Sequence, residues 1–192
     1  MTSNMSTPDD SLRSLRDRPF ELLKELEKRS RAELPANIAG ADAVKQWVGI
    51  AFRMGGETFL VAREETREVL GLPAAVTRIP GAKSWVKGLA NVRGQLLPLL
   101  DLRLFLGSGA TASGRNTRVI LVNHRDIPAG LIVDEVLGFR RFAESDFNAE
   151  PPPTVIRCDP YLAGAFRRGG EVWPVFSLKS LVESQGFLQA AS

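Results

Sequence analysis

Residues 85–106 read WVKGLANVRGQLLPLLDLRLFL, and residues 161–182 read YLAGAFRRGGEVWPVFSLKSLV. Written one above the other without a gap, the two stretches pair glycine with glycine, proline with proline and most apolar positions with apolar ones. Each stretch has two apolar runs around a glycine turn, as expected of a β-hairpin. The chain is therefore predicted to contain two copies of one small β unit. The matched positions are Gly88 and Gly164, Gly94 and Gly170, Pro98 and Pro174, and Leu102 and Leu178.

The sequence outside these stretches supports a mainly β fold. Residues 68–71 and residues 135–138 both read EVLG, which extends the repeat. Alternating apolar residues around a turn predict three hairpins, over residues 50–62, 118–133 and 164–176. Two such units packed together would bury more surface than either alone and leave a groove between them.

Shifts in composition predict the boundaries of these units. Residues 1–18 are polar and charged and are expected to be a disordered tail. Residues 19–46 are expected to form a helix, beginning at Pro19 and ending before Pro35, followed by a linker. We expect the first β-barrel subdomain over residues 47–107, a flexible linker over 108–117, the second subdomain over 118–188 and a short tail over 189–192.

The composition is unfavourable to most kinds of catalysis. A single cysteine, Cys158, and a single histidine, His124, exclude an intrachain disulfide and a four-ligand Cys/His zinc site. No pair of acids has a spacing that would set one carboxyl against the other as general acid and base. We therefore expect no catalytic residue, no cofactor and no metal ion. An enzyme using carboxylates such as Asp101 and Asp134 stays open as an alternative.

Charge and hydropathy bear on location and partners. The 25 basic and 22 acidic residues give a net charge of +3 and are spread along the whole chain. No apolar stretch approaches the roughly 20 residues of a membrane-spanning helix, and the first residues lack a secretory pattern, so a cytoplasmic protein is expected. A tandem small-barrel nucleic-acid-binding protein, using Trp85, Trp173 or Tyr161 to stack bases, stays open as the other alternative.

Five segments together carry a family resemblance: GGETFLV, REVLGLPAAVTRIPG, WVKGLANVRGQLLPLLDL, RVILV and AGLIVDEVLG. From residue 47 to about residue 184 the chain resembles a CheW-type domain, the coupling module of bacterial chemotaxis systems. The segments PFELLKEL and WVGIAFRMGG are further similar to PilI-type coupling proteins of type IV pilus twitching systems. The second half departs from the pattern, because Arg167, Arg168 and Gly169 stand where the first has Asn91, Val92 and Arg93.

The resemblance implies an all-β fold of two SH3-like five-stranded barrels with short helices. It implies a non-enzymatic adaptor, held at the inner face of the membrane by receptor arrays and without direct membrane insertion or nucleic-acid binding. Its partners would be the cytoplasmic tip of a methyl-accepting chemoreceptor and the regulatory domain of a CheA-type histidine kinase. The implied receptor-binding residues are Glu68, Val69, Asn91, Arg93 and Gly94, and the implied kinase-binding residues are Asp134 and Val136.

Overall fold

The computed structural model describes residues 45–190. The tail predicted over residues 1–18 and nearly all of the helix and linker predicted over 19–46 lie outside the described residues. The strands are β1 (Gln46–Met54), β2 (Glu57–Ala62), β3 (Thr66–Gly71), β4 (Val86–Val92), β5 (Gln95–Asp101), β6 (Arg118–Val122), β7 (Gly130–Val133), β8 (Glu135–Ala143), β9 (Phe147–Asn148), β10 (Leu162–Arg168) and β11 (Glu171–Phe176). The helices are α1 (Leu102–Phe105), α2 (Leu178–Val182) and α3 (Gln185–Leu188).

These strands form two sheets with the same internal plan. The first has the order β8-β1-β2-β11-β10-β9 and the second the order β3-β6-β7-β5-β4. In each sheet, the second strand of one hairpin pairs in parallel with the strand that precedes a short helix. These parallel pairs are β7 with β5 and β2 with β11. The all-β fold with two small barrel-like subdomains is therefore confirmed, and the two-residue strand β9 is an addition to the first sheet.

The predicted boundary between the subdomains is wrong in one respect. The hairpin β1–β2 lies in the first sheet beside β11, and the hairpin β6–β7 lies in the second sheet beside β3 and β5. The second subdomain is thus continuous, from β3 to β7, whereas the first combines β1 and β2 with β8 to β11. Division at residues 108–117 assigns each hairpin to the wrong unit, because both hairpins have the same local pattern and only their packing separates them.

The copies aligned in the sequence form corresponding hairpins, each followed by a short helix. A shift of register falls between Val86 and Gly88 in one copy and between Leu162 and Gly164 in the other. The helices that follow begin with side-chain caps. Asp101 accepts a hydrogen bond from the Leu104 amide in α1, and Ser177 accepts one from an amide in α2.

Residues 108–117 are tied to the fold instead of forming a flexible connection. The Thr111 amide and hydroxyl donate to the Asp101 carboxylate, at 3.0 Å and 2.9 Å. Thr117 is also buried, and its hydroxyl donates to the carbonyl oxygen of Ala112. In the tail predicted over 189–192, the carbonyl oxygen of Ala190 accepts from the Lys83 amide.

A single large apolar cluster joins the two subdomains. It draws residues from both sheets and from all three helices, while two smaller clusters fill the second sheet and the first sheet separately. Phe52, Phe59 and Phe176 are fully buried in the shared cluster, with ring centroids 5.8 to 6.3 Å apart. Because both subdomains contribute to this core, their relative orientation is fixed by packing.

Candidate partner-binding site

A groove of about 300 Å³ lies between an edge strand of one sheet and an edge strand of the other. Strand β3 is the outer strand of the second sheet, and β8 is the outer strand of the first. Three residues singled out by the sequence, Glu68, Val69 and Val136, line it together. The other lining residues are Ile50, Arg63, Thr66, Arg67, Gly138 and Phe139.

The groove is both apolar and charged. Val69 and Val136 pack against the shared core. Phe139, on the edge strand β8, is 63% exposed. Charged side chains of β3 and of the turn before it lie beside these apolar residues. An exposed aromatic residue in a concave surface of this kind is typical of a protein-binding site.

An ion pair extends the groove onto the β4–β5 hairpin. The Arg93 guanidinium donates to the Glu68 carboxylate at 2.5 Å, and Arg67 donates to the side-chain oxygen of Gln95 at 3.2 Å. These contacts connect the outer strand β3 to the turn of the β4–β5 hairpin and to the first residue of β5. The Arg93 side chain nevertheless stays 76% exposed, so its remaining N–H donors face solvent.

Arg93 has an unusual backbone for an arginine. Arg93 and Gly94 occupy the two turn positions of the β4–β5 hairpin, with φ of 51° and 82°. In the second copy the same positions are Gly169 and Gly170, with φ of 59° and 82°. Asn91 supports the first turn by accepting from the Gly94 amide at 2.8 Å. A non-glycine residue held in this region indicates a functional constraint, since glycine would adopt it without strain.

Replacing Arg93 with glycine is therefore expected to leave the free energy of unfolding unchanged or raise it by about 1 kcal/mol, because backbone strain is relieved and an exposed ion pair contributes little. The matched change Gly94→Val should instead lower it by about 1 to 3 kcal/mol, since a β-branched residue is strained at this φ. Urea denaturation of both variants measures the difference. A clear loss of stability in Arg93→Gly would contradict the assignment of Arg93 to function.

The two residues implied for kinase binding lie in different surroundings. The Asp134 carboxylate accepts from the Gly55 amide at 2.6 Å and from Arg103 at 3.4 Å. It thereby holds the β1–β2 turn and α1 in place. Val136 lies in the groove with the residues implied for receptor binding.

Sequence reasoning missed several members of the groove. Ile50 comes from β1, and Gly138 and Phe139 come from β8. A signal for Phe139 was present, because the repeat aligns β8 with β3 and the residue lies just beyond the shared EVLG. Arg63 carried no such signal, since its position depends on the 3-10 turn that connects β2 to β3.

The described residues offer little reactive chemistry. Residues 45–190 contain no group of three or more His, Cys, Asp or Glu side chains able to hold a metal ion. Cys158 is fully buried, and this burial raises the pKa of its thiol, which disfavours the thiolate that a nucleophile needs. The Nε2 of His124 lies 3.3 Å from the Glu183 carboxylate, and its Nδ1 accepts from the Asp126 amide at 3.3 Å. Within the same residues, no helix combines the length and apolar character required to cross a bilayer.

Two barrel-like subdomains with a groove between their edge strands define a partner-binding scaffold. The CheW-like domain family model matches residues 48–186. The protein PilI of Pseudomonas aeruginosa is 44% identical over 173 residues, which cover 90% of this chain and 96% of PilI. The chemotaxis protein CheW of Helicobacter pylori is 30% identical over 67% of this chain and 77% of its own length.

A solved structure agrees with these sequence relatives. The crystal structure of the scaffolding protein CheW from Thermoanaerobacter tengcongensis superposes with a TM-score of 0.64 at 25% identity, covering 74% of this chain and 96% of that one. The chain belongs to the CheW-like family. It is a CheW-like coupling protein, and the resemblance to PilI-type proteins is confirmed.

Proposed function

We propose that this protein is a non-enzymatic cytoplasmic adaptor that couples a methyl-accepting chemoreceptor to a CheA-type histidine kinase, in the control of type IV pilus twitching motility. Family membership and the similarity to PilI support the signalling role. The groove between β3 and β8 is the observation that carries the proposal, since it gives the adaptor a surface for a partner.

The receptor tip is proposed to lie in this groove. A receptor tip is a helical hairpin, and a helix binds in such a surface by burying apolar side chains against residues such as Val69, Val136 and Phe139. Charges on the rim then set register and specificity. Arg93 and Glu68 serve this purpose, with Asn91 and Gly94 maintaining the turn that presents Arg93.

The kinase regulatory domain is proposed to bind near Asp134 and Val136, at the start of β8. Asp134 already binds the Gly55 amide and Arg103, so it would act by shaping the β1–β2 turn as well as by direct contact. An adaptor of this kind works through geometry. A shared core that fixes both subdomains lets a receptor rearrangement bias the kinase between its states.

Glu68→Arg tests the proposed receptor face. The binding partner is the cytoplasmic tip of a chemoreceptor from the same cell, measured by calorimetry. We expect at least about tenfold weaker binding, since a rim charge is reversed, and a melting temperature within about 4 °C of wild type, since an exposed ion pair contributes little. Glu150→Arg, the same charge change at an exposed residue outside the groove, is the control and should bind normally.

The double variant Glu68→Arg with Arg93→Glu separates contact from support. It keeps an ion pair between β3 and the hairpin but reverses both charges presented to the partner. If these side chains contact the receptor, binding stays weak. Full recovery of affinity would contradict the assigned face. Salt-dependent binding of single-stranded RNA without receptor binding would favour the nucleic-acid alternative.

A further inference from the structure

A second concave surface lies on the first sheet, beside the groove. Besides the buried Phe142, its basic and aromatic members are Phe139, Arg140 and Arg141 from β8, Arg168 from β10 and Trp173 from β11. We call these five residues the arginine patch. The patch lines a pocket of about 420 Å³. Glu171 is the only acidic residue among the lining residues.

The arginines of this patch lack carboxylate partners within residues 45–190. Elsewhere in the same range, Arg53, Arg93 and Arg103 pair with acids, at 2.6, 2.5 and 3.4 Å. Arg140 instead donates to the carbonyl oxygen of Phe139 at 2.9 Å. Arg168 donates to the carbonyl oxygen of Arg141 at 3.2 Å. Three arginines therefore lie here beside one acidic residue, Glu171, and none of them forms an ion pair with it.

These backbone contacts also orient the guanidinium groups. A guanidinium has five N–H donors, and each of these contacts uses only one nitrogen of its group. Arg140 further lies over the ring of Trp173, at 5.9 Å from the ring centroid. Holding the side chains in place lowers the entropy lost on binding an anion, and the free donors match the two oxygens of a carboxylate.

The aromatic residues favour a protein over a nucleic acid as the occupant. Base stacking along a strand needs several exposed ring faces, but Trp85 packs on Phe105 at 5.1 Å and Tyr161 packs on Phe105 at 6.0 Å. Phe139 lines both the groove and the arginine patch. An apolar contact at Phe139 therefore lies next to the unpaired guanidinium groups.

We propose that the arginine patch binds an acidic segment of a partner protein that carries an apolar side chain beside its carboxylates. The carboxylates pair with Arg140 and Arg168, and the apolar side chain packs on Phe139 and Trp173. This contact shares only Phe139 with the receptor contact proposed above. Its charged residues, Arg140 and Arg168, belong to neither the receptor contact nor the kinase contact.

Selection from a random peptide library tests the chemistry directly. The full-length protein is the bait, and peptides that also bind the double variant Arg140→Glu with Arg168→Glu are removed first. We expect the remaining peptides to be enriched in Asp or Glu next to Leu, Phe or Trp. Peptides without acidic enrichment, or no patch-dependent peptides, would overturn the proposal.

A selected peptide then locates the site. Arg168→Glu is expected to weaken its binding at least about tenfold, with an unchanged melting temperature. Arg125→Glu makes the same charge change at an exposed arginine in the β6–β7 turn, outside the patch, and should bind normally. Equal losses in both variants would show an effect of net charge alone and overturn the proposal. Displacement of the bound peptide by single-stranded RNA, at a lower concentration than the unlabelled peptide itself requires, would also overturn it.

Discussion

Replacing Asp101 with alanine is expected to lower the free energy of unfolding by about 2 to 4 kcal/mol, since it removes a helix cap and leaves buried donors unpaired. The Asp101 side chain is fully buried, and its carboxylate makes one ion pair and accepts hydrogen bonds from three other groups. Lys87 lies at 3.2 Å, the Thr111 amide and hydroxyl at 3.0 and 2.9 Å, and the Leu104 amide at 3.2 Å.

The Lys87 contact is the smallest part of this effect. The Lys87 side chain is 38% exposed and can turn to water, so Lys87→Ala should cost under about 1 kcal/mol. Thr111 is buried and cannot do the same. Urea denaturation of Asp101→Ala and Lys87→Ala measures the contrast. A loss in Asp101→Ala no larger than that in Lys87→Ala would contradict the central role of Thr111.

The same residue shows what the sequence could predict. The cap of α1 by Asp101 is a local pattern, readable from an acid placed just before a helical turn. The three hairpins are local in the same sense, and all form where the turns predicted them. The contact of Asp101 with Thr111 is not local in this way, since a segment rich in glycine and serine gave no sign that one threonine would fold back into the core.

Assignment of hairpins to subdomains needed information beyond the local pattern of each hairpin. The parallel pairing of Leu60 with Val175 places β2 beside β11, across more than a hundred residues of chain. The consecutive apolar residues Phe59, Leu60 and Val61 predict that β2 is buried, as it is, but not which sheet it joins. The EVLG repeat was the correct clue, because it aligns β3 with β8 and each of these is the outer strand of its own sheet.

For the candidate site, the resemblance named Glu68 and Val69 on β3 and Val136 on β8, and the structure adds Phe139 on the same wall as Val136. Phe139 comes from the first subdomain, so only the packing of the two sheets brings it near Val69. The role of Asp134 was hidden for the same reason. Its hydrogen bond to the Gly55 amide joins parts of the chain that are far apart in sequence.

Replacing Gly164 with alanine is expected to cost about 3 to 5 kcal/mol, the sum of an unfavourable backbone and a clash with rigid main chain. Gly164 has φ of 144°, and a Cβ there would lie 2.3 Å from the carbonyl oxygen of Asn148. Gly88 is its counterpart in the other subdomain, with φ of 141° and a Cβ position 2.2 Å from the carbonyl oxygen of Thr77.

The two alanine variants also test whether the subdomains fold as one unit. Because one apolar cluster includes residues of both sheets, Gly88→Ala and Gly164→Ala should each shift a single unfolding transition seen alike by circular dichroism and tryptophan fluorescence. Gly71→Ala, at a strand end with open space around its Cβ position, should change stability by less than about 0.5 kcal/mol. Separate transitions for the two probes in either variant would show that the shared core does not couple the subdomains, and with that the rigid orientation on which an adaptor depends would lose its physical basis.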